Sequence, residues 1–429
     1  SSSSAASDVY KRQAPRNSLS ISNPKSQGYR IKKNLYSCKK NANRQLINTC
    51  EVKRMSSKLA LTKIINHFSL VTDPRKRGRR LHLLVDIIVI SICAIICGAE
   101  HWTEIERFGN CKKKWFKSFL KLPNGIPSHD TFGRTFAKLN PVDFQKCFLN
   151  WIKELKKTFG ADIISIDGKT LRNSFDTASK KAAIHMVSAW SSKNSCVLAQ
   201  TKVEEKSNEI TAVPKLLEIL ELEGCIVTMD AMGCQKKHAE KIIEKGADYI
   251  LALKGNQGKF HEEVVDYCKD AVKSGFDGLE VSKIKKIEKG HGRIETRECF
   301  LIKDLSWAKK SRSWPGIKSV GIAKTTRKMG EDKSEEVRYF CTSLTNVKEF
   351  TKGVRNHWNI ENQLHWVLDV AFGEDKCRVR KDNAAENFAI LRHIALNKLK
   401  REKTLKLGIK SKRLSAGWDN EYLLRVLIT

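Results

Sequence analysis

The sequence predicts an α/β protein: a mixed sheet with flanking helices, preceded by a helical N-terminal domain and interrupted by a β-rich insertion. Three observations carry this. Between residues 151 and 280, short apolar runs alternate with helix-period stretches in the order strand, strand, strand, helix, strand, helix, strand, helix. Residues 281–345 break that alternation into β-rich runs separated by charged turns. Residues 55–150 read as helical.

The elements follow in order. Residues 1–54, opening on "SSSSAASDVYKRQ", are polar, basic and without hydrophobic periodicity. They are expected to be a disordered or non-native leader, with Met55 as the natural start. In 55–150 a basic run, "DPRKRGRR", precedes the apolar stretch "LHLLVDIIVISICAIICGA", 81–99. That stretch is nearly long enough to span a bilayer, but it holds His82 and Asp86. An Asp at a membrane helix centre costs about 2.5–3.5 kcal/mol, so a buried helix is expected. "SHDTFGRTFAKL" opens on an N-cap, Ser128 or Asp130. This lysine- and arginine-rich domain suits contact with a DNA backbone, or is a solvated scaffold.

In 151–280, "ADIISIDG" is an apolar strand ending in Asp167 and Gly168. "IHMVSAW" and "SCVLAQTKV" form a hairpin through "SSKN", and with the first strand can build an antiparallel meander. "NEITAVPKLLEIL" is a helix capped by Asn208, "CIVTMDAM" a strand ending in Asp230, and "CQKKHAEKIIEKG" a helix closed by Gly246. The strand "ADYILALKGNQG" and the helix "GKFHEEVVDYCKDAV" complete the run. Helical crossovers make the later strands parallel neighbours. If the Asp167 and Asp230 strands are adjacent, their carboxylates face each other at one sheet end. The helical stretch around Glu361 returns the chain to the core over 346–400, and 401–429 is a tail that packs as a last helix.

The chain of 429 residues is 41% hydrophobic with a formal charge of +33, a globular composition whose cationic excess points to a polyanion, nucleic acid first. Its 13 cysteines are scattered without a C-x-x-C, which excludes a disulfide framework and a zinc ribbon. With no signal peptide, a cytosolic protein with no membrane partner is expected.

The stretch "HWNIENQLHWVLDV", 357–370, has Ile360, Leu364 and Val367 at helical spacing, yet also His357, Trp358, Glu361, His365, Trp366 and Asp369. His357, Glu361 and His365 share a face at steps of four, which Asp369 extends. Leu364 and Leu368 lie at its edge and tuck under the sheet. Trp358 and Trp366 read first as core, and second as platforms for unpaired bases. A zinc face of His357, Glu361 and His365 lacks the H-E-x-x-H spacing. Asp167, Asp230 and Glu361 taken together can hold two divalent cations, Mg²⁺ or Mn²⁺, about 3.5–4 Å apart, for in-line phosphoryl displacement. Singly, each acid reads as a turn former or a solvated side chain. Lys169 and Arg172 are candidates for phosphate contact, or surface charge. Gln235 and His238, and Lys254, Asn256 and Gln257, are candidate DNA contacts at strand and helix ends, as are His357, Trp358 and His365 of this stretch. His291, Arg293, Glu295 and Arg297 suggest a DNA-contacting hairpin, or cross-strand ion pairs worth little.

"SIDGKTLRNSFD", "TMDAMGCQK", "YILALKGNQ", "GHGRIETR" and "HWNIENQLHWVLDVAFGED", in this order, resemble the motif series of insertion-sequence DDE transposases of the IS4-like group, nearest its ISAs1 or H-repeat-associated family. The likeness spans about residues 68 to 400. It implies a ribonuclease H-like core with the insertion placed before the third acid. It implies metal-dependent cleavage at element ends and strand transfer into target DNA, with Asp167, Asp230 and Glu361 as the three acids and a homodimer in the DNA complex. Alternatives are a ribonuclease H-like nuclease without strand transfer, or an inactive DNA-binding remnant. The group often carries Tyr, Arg and Lys around the third acid where this chain has Val354, His357 and Leu368. His357 is then expected to replace the Arg as a phosphate donor, with Lys376 or Arg378 supplying charge further on.

Overall fold

A computed structural model describes residues 61–62, 64–155, 162–175, 182–204, 208–290, 292–308 and 313–429. The leader 1–54 and His291 lie outside the described residues.

The apolar stretch forms α1 (Leu84–Ile96), in which every residue but Val85 is buried. Among the described residues no helix is long and apolar enough to cross a membrane. Asp86 is tolerated because its carboxylate accepts the Leu122 backbone N–H at 3.0 Å, although burial raises its pKa. Helices α2 (Trp102–Cys111), α3 (His129–Lys138) and α4 (Pro141–Leu155) follow. Ser128 caps α3, its hydroxyl accepting from the Thr131 N–H.

The sheet begins with β1 (Ile163–Thr170), β2 (His185–Ser191) and β3 (Cys196–Lys202), the antiparallel meander expected from the sequence. Helix α5 (Glu209–Ile219), capped by Asn208, crosses to β4 (Ile226–Met229), and α6 (Lys236–Glu244) crosses to β5 (Asp248–Leu253). These crossovers make β1, β4 and β5 parallel neighbours. Helix α7 (Lys259–Lys273) then leads into β6 (Val281–Gly290), β7 (Arg293–Ile302), β8 (Ser319–Met329) and β9 (Asp332–Thr342). This β-rich segment is not a sheet of its own. The apolar end of β9 pairs antiparallel with β5, from Ile250 opposite Thr342 to Leu253 opposite Tyr339. One nine-stranded sheet results, in the order β3-β2-β1-β4-β5-β9-β8-β7-β6. The pairing removes an open edge from β5. The core is the ribonuclease H-like mixed sheet with flanking helices that the resemblance implies.

Helix α8 (Val347–Ile360), capped by Asn346, lies against the sheet and continues through a π-helical segment (Glu361–His365) into α9 (Trp366–Phe372). Close approach of α8 is permitted by glycines: a Cβ on Gly321 of β8 would lie 2.2 Å from the Phe350 ring. Helix α10 (Ala384–Arg401) is buried along almost its whole length. Two of its asparagines are spent on backbone groups. Asn387 donates to Phe136 O and Leu139 O at 2.8 and 2.9 Å, and Asn397 exchanges two bonds with Val197 on edge strand β3. Helices α11 (Ile409–Trp418) and α12 (Asn420–Ile428) close the chain. Buried Arg413 donates to Ile95 O in the last turn of α1 and to Ala99 O just beyond it, at a helix end whose carbonyls lack intrahelical partners. The helices of 61–155 thus share one hydrophobic core with the sheet and the C-terminal helices.

Candidate active site

Strand register places the first two acids. β1 and β4 pair in parallel from Ile163 opposite Ile226 to Ile166 opposite Met229. Asp167 and Asp230 are the next residue on each strand, so the condition set by the sequence, adjacency of the two strands, is met. Asp167 is not at a strand end, however: β1 runs on to Thr170, held by β2. β4 is the strand that stops. Asp230 begins a turn, its Oδ1 accepting the Gly233 N–H at 3.1 Å. Asp167 Oδ1 accepts from the Gly168 N–H at 2.9 Å. Gly168 has no side chain for a physical reason: a Cβ there would collide with Glu209 and His185, which pair at 2.6 Å.

Glu361 opens the π segment, and its backbone carbonyl accepts from Trp366, five residues on. Such wide turns recur at functional sites because the extra residue re-aims the side chains that follow. His365 Nδ1 lies 3.1 Å from Glu361 Oε2 and 3.6 Å from Asp167 Oδ2. Donor atoms of Asp167, Glu361 and His365 all lie within 4.8 Å of one another. His365 is buried, and among the described residues its Nε2 finds no hydrogen-bond partner. Burial pushes the Asp167 carboxyl up to about 7, with Asp230, Glu209 and Glu361 adding to the rise against the Gly168 hydrogen bond. Burial lowers the His365 pKa against the opposing pull of Glu361, which favours a neutral imidazole. Glu361 itself is 56% exposed at its side chain, so an approaching ligand can reach it.

His357 does not join this group. Ser165 Oγ donates to Asn356 O, and Thr228 Oγ1 donates to Ser165 Oγ. That leaves Thr228 Oγ1 to accept from His357 Nδ1 at 3.0 Å. Burial holds His357 down to about 4. It is therefore a neutral tie between α8 and β4, not the cationic phosphate donor expected from the sequence, and the zinc face of His357, Glu361 and His365 is not assembled. Leu364 and Leu368 are buried as expected, and Val354 packs at the edge of a small cluster around Phe350.

Lys169 is also corrected. Its Nζ donates to Asp369 and to Glu374 Oε2 at 3.1 Å, and lies 3.8 Å from Asp375. It clamps the helix after Glu361 to β1 and is not free for phosphate. Arg172, 80% exposed at its side chain, lies 3.3 Å from Asp375. His238 is fully buried, with its ring nitrogens on Gly233 O and Ile210 O, both at 2.9 Å, so it cannot reach DNA. Gln235 precedes α6 and bonds Met232 O at 3.4 Å. Asn256 and Gln257 donate to Ala231 O and Cys234 O at 2.7 and 2.6 Å, tying their loop to the turn that carries Asp230. Lys254 is exposed. In the insertion Arg297 pairs with Glu288 across β6 and β7, the cross-strand ion pair of the plainer reading, while Arg293 and Arg297 lie 3.8 and 2.9 Å from Glu295 on their own strand. Trp358 and Trp366 are 46% and 59% exposed, so neither is core. Lys376 and Arg378 are exposed.

Sequence reasoning missed Glu374 and Arg392, which with Lys169 form a buried charged cluster under the π segment, and the Glu209–His185 pair. The signal for Glu374 was present, in the "GED" that follows the helix. For Glu209 it was the glycine after Asp167, readable only once the packing is known.

The chain matches the "Transposase DDE domain" family over residues 158–398 and the "DDE_Tnp_1-associated" family over 65–152. It is 40% identical to the "H repeat-associated putative transposase YhhI" of Escherichia coli (strain K12), over 86% of this chain and 98% of that one. It is 41% identical to the "Putative transposase YncI" of Escherichia coli O157:H7, over 86% of this chain and 95% of that one.

Proposed function

Because the chain belongs to the DDE transposase family, we propose that it cuts DNA at the ends of an insertion sequence and joins the freed 3′-hydroxyl to target DNA, using Asp167, Asp230 and Glu361. The observation that carries this is the meeting of Asp167 from β1 with Glu361 from the π segment around buried His365. Two carboxylates and an imidazole whose Nδ1 lies 3.1 and 3.6 Å from their oxygens fit a divalent cation. Asp167, Glu361 and Asp230 would hold two ions, Mg²⁺ or Mn²⁺, with His365 able to join them. Such ions supply Lewis acidity to the phosphoryl oxygens and neutralise the attacking and leaving oxygens.

The protein's own part is positioning. His365 Nδ1, 3.1 Å from Glu361 Oε2, holds that carboxylate toward Asp167. Lys169 fixes the helix register below it, and His357 anchors α8 to β4 beside Asp230. The Gly233 N–H holds Asp230 Oδ1, leaving its second oxygen for a ligand. The substrate lies in a bacterial nucleoid, and handling paired ends calls for a homodimer on the DNA. A monomeric mass with both ends bound would refute the dimer.

The test uses the full chain with Mg²⁺ or Mn²⁺ and a supercoiled plasmid carrying the gene's own flanking DNA. Wild type is compared with Asp167→Ala and Glu361→Ala for nicks and joined products. Metal-dependent cutting and joining at the flanks, lost in both variants, is the expected result. Cutting without joining would mean a nuclease, and equal behaviour of folded wild type and variants would mean a DNA-binding remnant.

A further inference from the structure

Asp230 is held differently from the other acids. Among the described residues its carboxylate has one hydrogen bond, from the Gly233 N–H, and it is not one of the three groups whose donor atoms lie within 4.8 Å of one another. Its place beside Asp167 is therefore set by the backbone of residues 230–234 and by whatever fixes that backbone.

The turn is tight. The Cys234 N–H donates to Ala231 O at 3.3 Å, and the Gln235 N–H to Gly233 O at 2.9 Å. A Cβ on Gly233 would lie 2.7 Å from Met229 Cβ, so the chain folds back on β4 at a residue without a side chain. Cys234 is buried, its Sγ 3.8 Å from Cys341 Sγ on β9.

A second hold comes from the next strand. β4 and β5 run parallel with Met229 opposite Leu251, so the loop after β5 leaves the same sheet end as the turn after β4. That loop has little freedom. Gly255–Gln257 make a single 3₁₀ turn, with the Gln257 N–H on Lys254 O and the Gly258 N–H on Gly255 O, both at 3.0 Å. Gly258, at φ +49°, then sends the chain straight into α7, whose Phe260 and Val264 are buried. From this base Asn256 Nδ2 donates to Ala231 O at 2.7 Å and Gln257 Nε2 to Cys234 O at 2.6 Å. Those carbonyls are the first and last of the Ala231–Cys234 turn, so the two amides grip it at both ends.

We propose that Asn256 and Gln257 are positioning residues for Asp230, holding its second carboxylate oxygen toward Asp167 so that the two acids can share a divalent cation. The proposal rests on the transposase reading and adds which residues outside the acids set the ion affinity. Groups that orient a metal ligand from behind typically change metal affinity by about 10–100-fold when removed. Asn256 is exposed and Gln257 half-buried, so neither substitution empties the core.

Mn²⁺ would be titrated into the full chain without DNA, the free ion being followed by electron paramagnetic resonance. Wild type should bind more tightly than Asp230→Ala, and that difference identifies the Asp230-dependent ion. Asn256→Ala and Gln257→Ala should each weaken this binding about tenfold, and together up to about a hundredfold. Asn140→Ala is the control. Its side-chain Oδ1 accepts the Val142 N–H at 2.9 Å at the start of α4, so its loss should lower the melting temperature by at least as much as either variant and leave Mn²⁺ affinity within about twofold. In plasmid nicking, saturating Mn²⁺ should return both variants to within about threefold of the wild-type rate, a loss of binding without loss of turnover, and should not rescue Asp230→Ala. Unchanged affinity in the double variant, wild type binding no tighter than Asp230→Ala, or an equal loss in Asn140→Ala would each overturn the proposal. Nicking by wild type with the same Mn²⁺ requirement in all the amide variants would sink the positioning role alone. The expected affinities without any nicking by wild type would sink the transposase reading and leave the positioning role standing.

Discussion

Replacing Lys169 with methionine removes an ammonium from a nest of acids and leaves their charges behind. The Lys169 side chain is 14% exposed and Glu374 is almost wholly buried. Burial pushes the Glu374 carboxyl up, but Lys169 and Arg392 outweigh it and hold the group below its ordinary range. At 3.1 Å and an effective dielectric of about 20, the Lys169–Glu374 attraction is about 5 kcal/mol before desolvation. Breaking a buried pair from one side costs about 3–5 kcal/mol. Arg392 remains 3.7 Å from Glu374, so the lower end applies, about 3 kcal/mol. Urea unfolding at pH 7 should show that loss, and plasmid nicking should fall with it because α9 is no longer tied to β1. The pH dependence carries the sign. Without Lys169 the folded Glu374 pKa rises, so the native state binds more protons than the unfolded one, and the variant's deficit grows as pH rises through that pKa and shrinks below it. A stability change under about 0.5 kcal/mol, together with a DNA-binding salt slope lowered by about one, would refute the clamp and restore Lys169 as a phosphate ligand.

Three further outcomes follow from other parts of the molecule. Asp167→Asn and Glu361→Gln should each cut metal-dependent cleavage by more than about a hundredfold, with duplex affinity in EDTA retained; nicking within tenfold of wild type in either would remove that acid from the site. Gly321→Ala should destabilise the fold by about 1–3 kcal/mol, because the new methyl meets the buried Phe350 ring and lifts α8 with it; an unchanged melting temperature would show that α8 does not need this close approach. Burial holds Lys398 down to about 7, where its Nζ donates to Leu427 O and lies over the Trp151 ring. The unfolded chain then binds more protons between about pH 7 and 10.5, so Lys398 makes stability rise with pH across that window, and Lys398→Met should remove its share, up to several kcal/mol. Parallel wild-type and variant profiles over that range would contradict this.

The sequence by itself determined the kind of each core element and the order in which the strands arrive, and it offered three acids as candidates, two after apolar strand runs and one in a helical stretch. These are local or sequential properties. Apolar period, caps such as Ser128 and Asn208, and crossover helices that force β1, β4 and β5 parallel all act within a few dozen residues. The tertiary structure decided whatever depends on residues far apart in the chain. It joined β9 to β5, because a strand run does not say which open edge it will cover. It turned Trp358 and Trp366 outward and His238 inward, because burial belongs to the packed neighbour and not to the residue type. It made His357 neutral and bound Lys169 to Glu374, because a charge in a sequence has no partner until the fold supplies one. The π turn at Glu361 is the sharpest case: helical periodicity read the stripe of His357, Glu361 and His365 correctly as helical spacing, but one widened turn brings His365 to Asp167 and leaves His357 on Thr228.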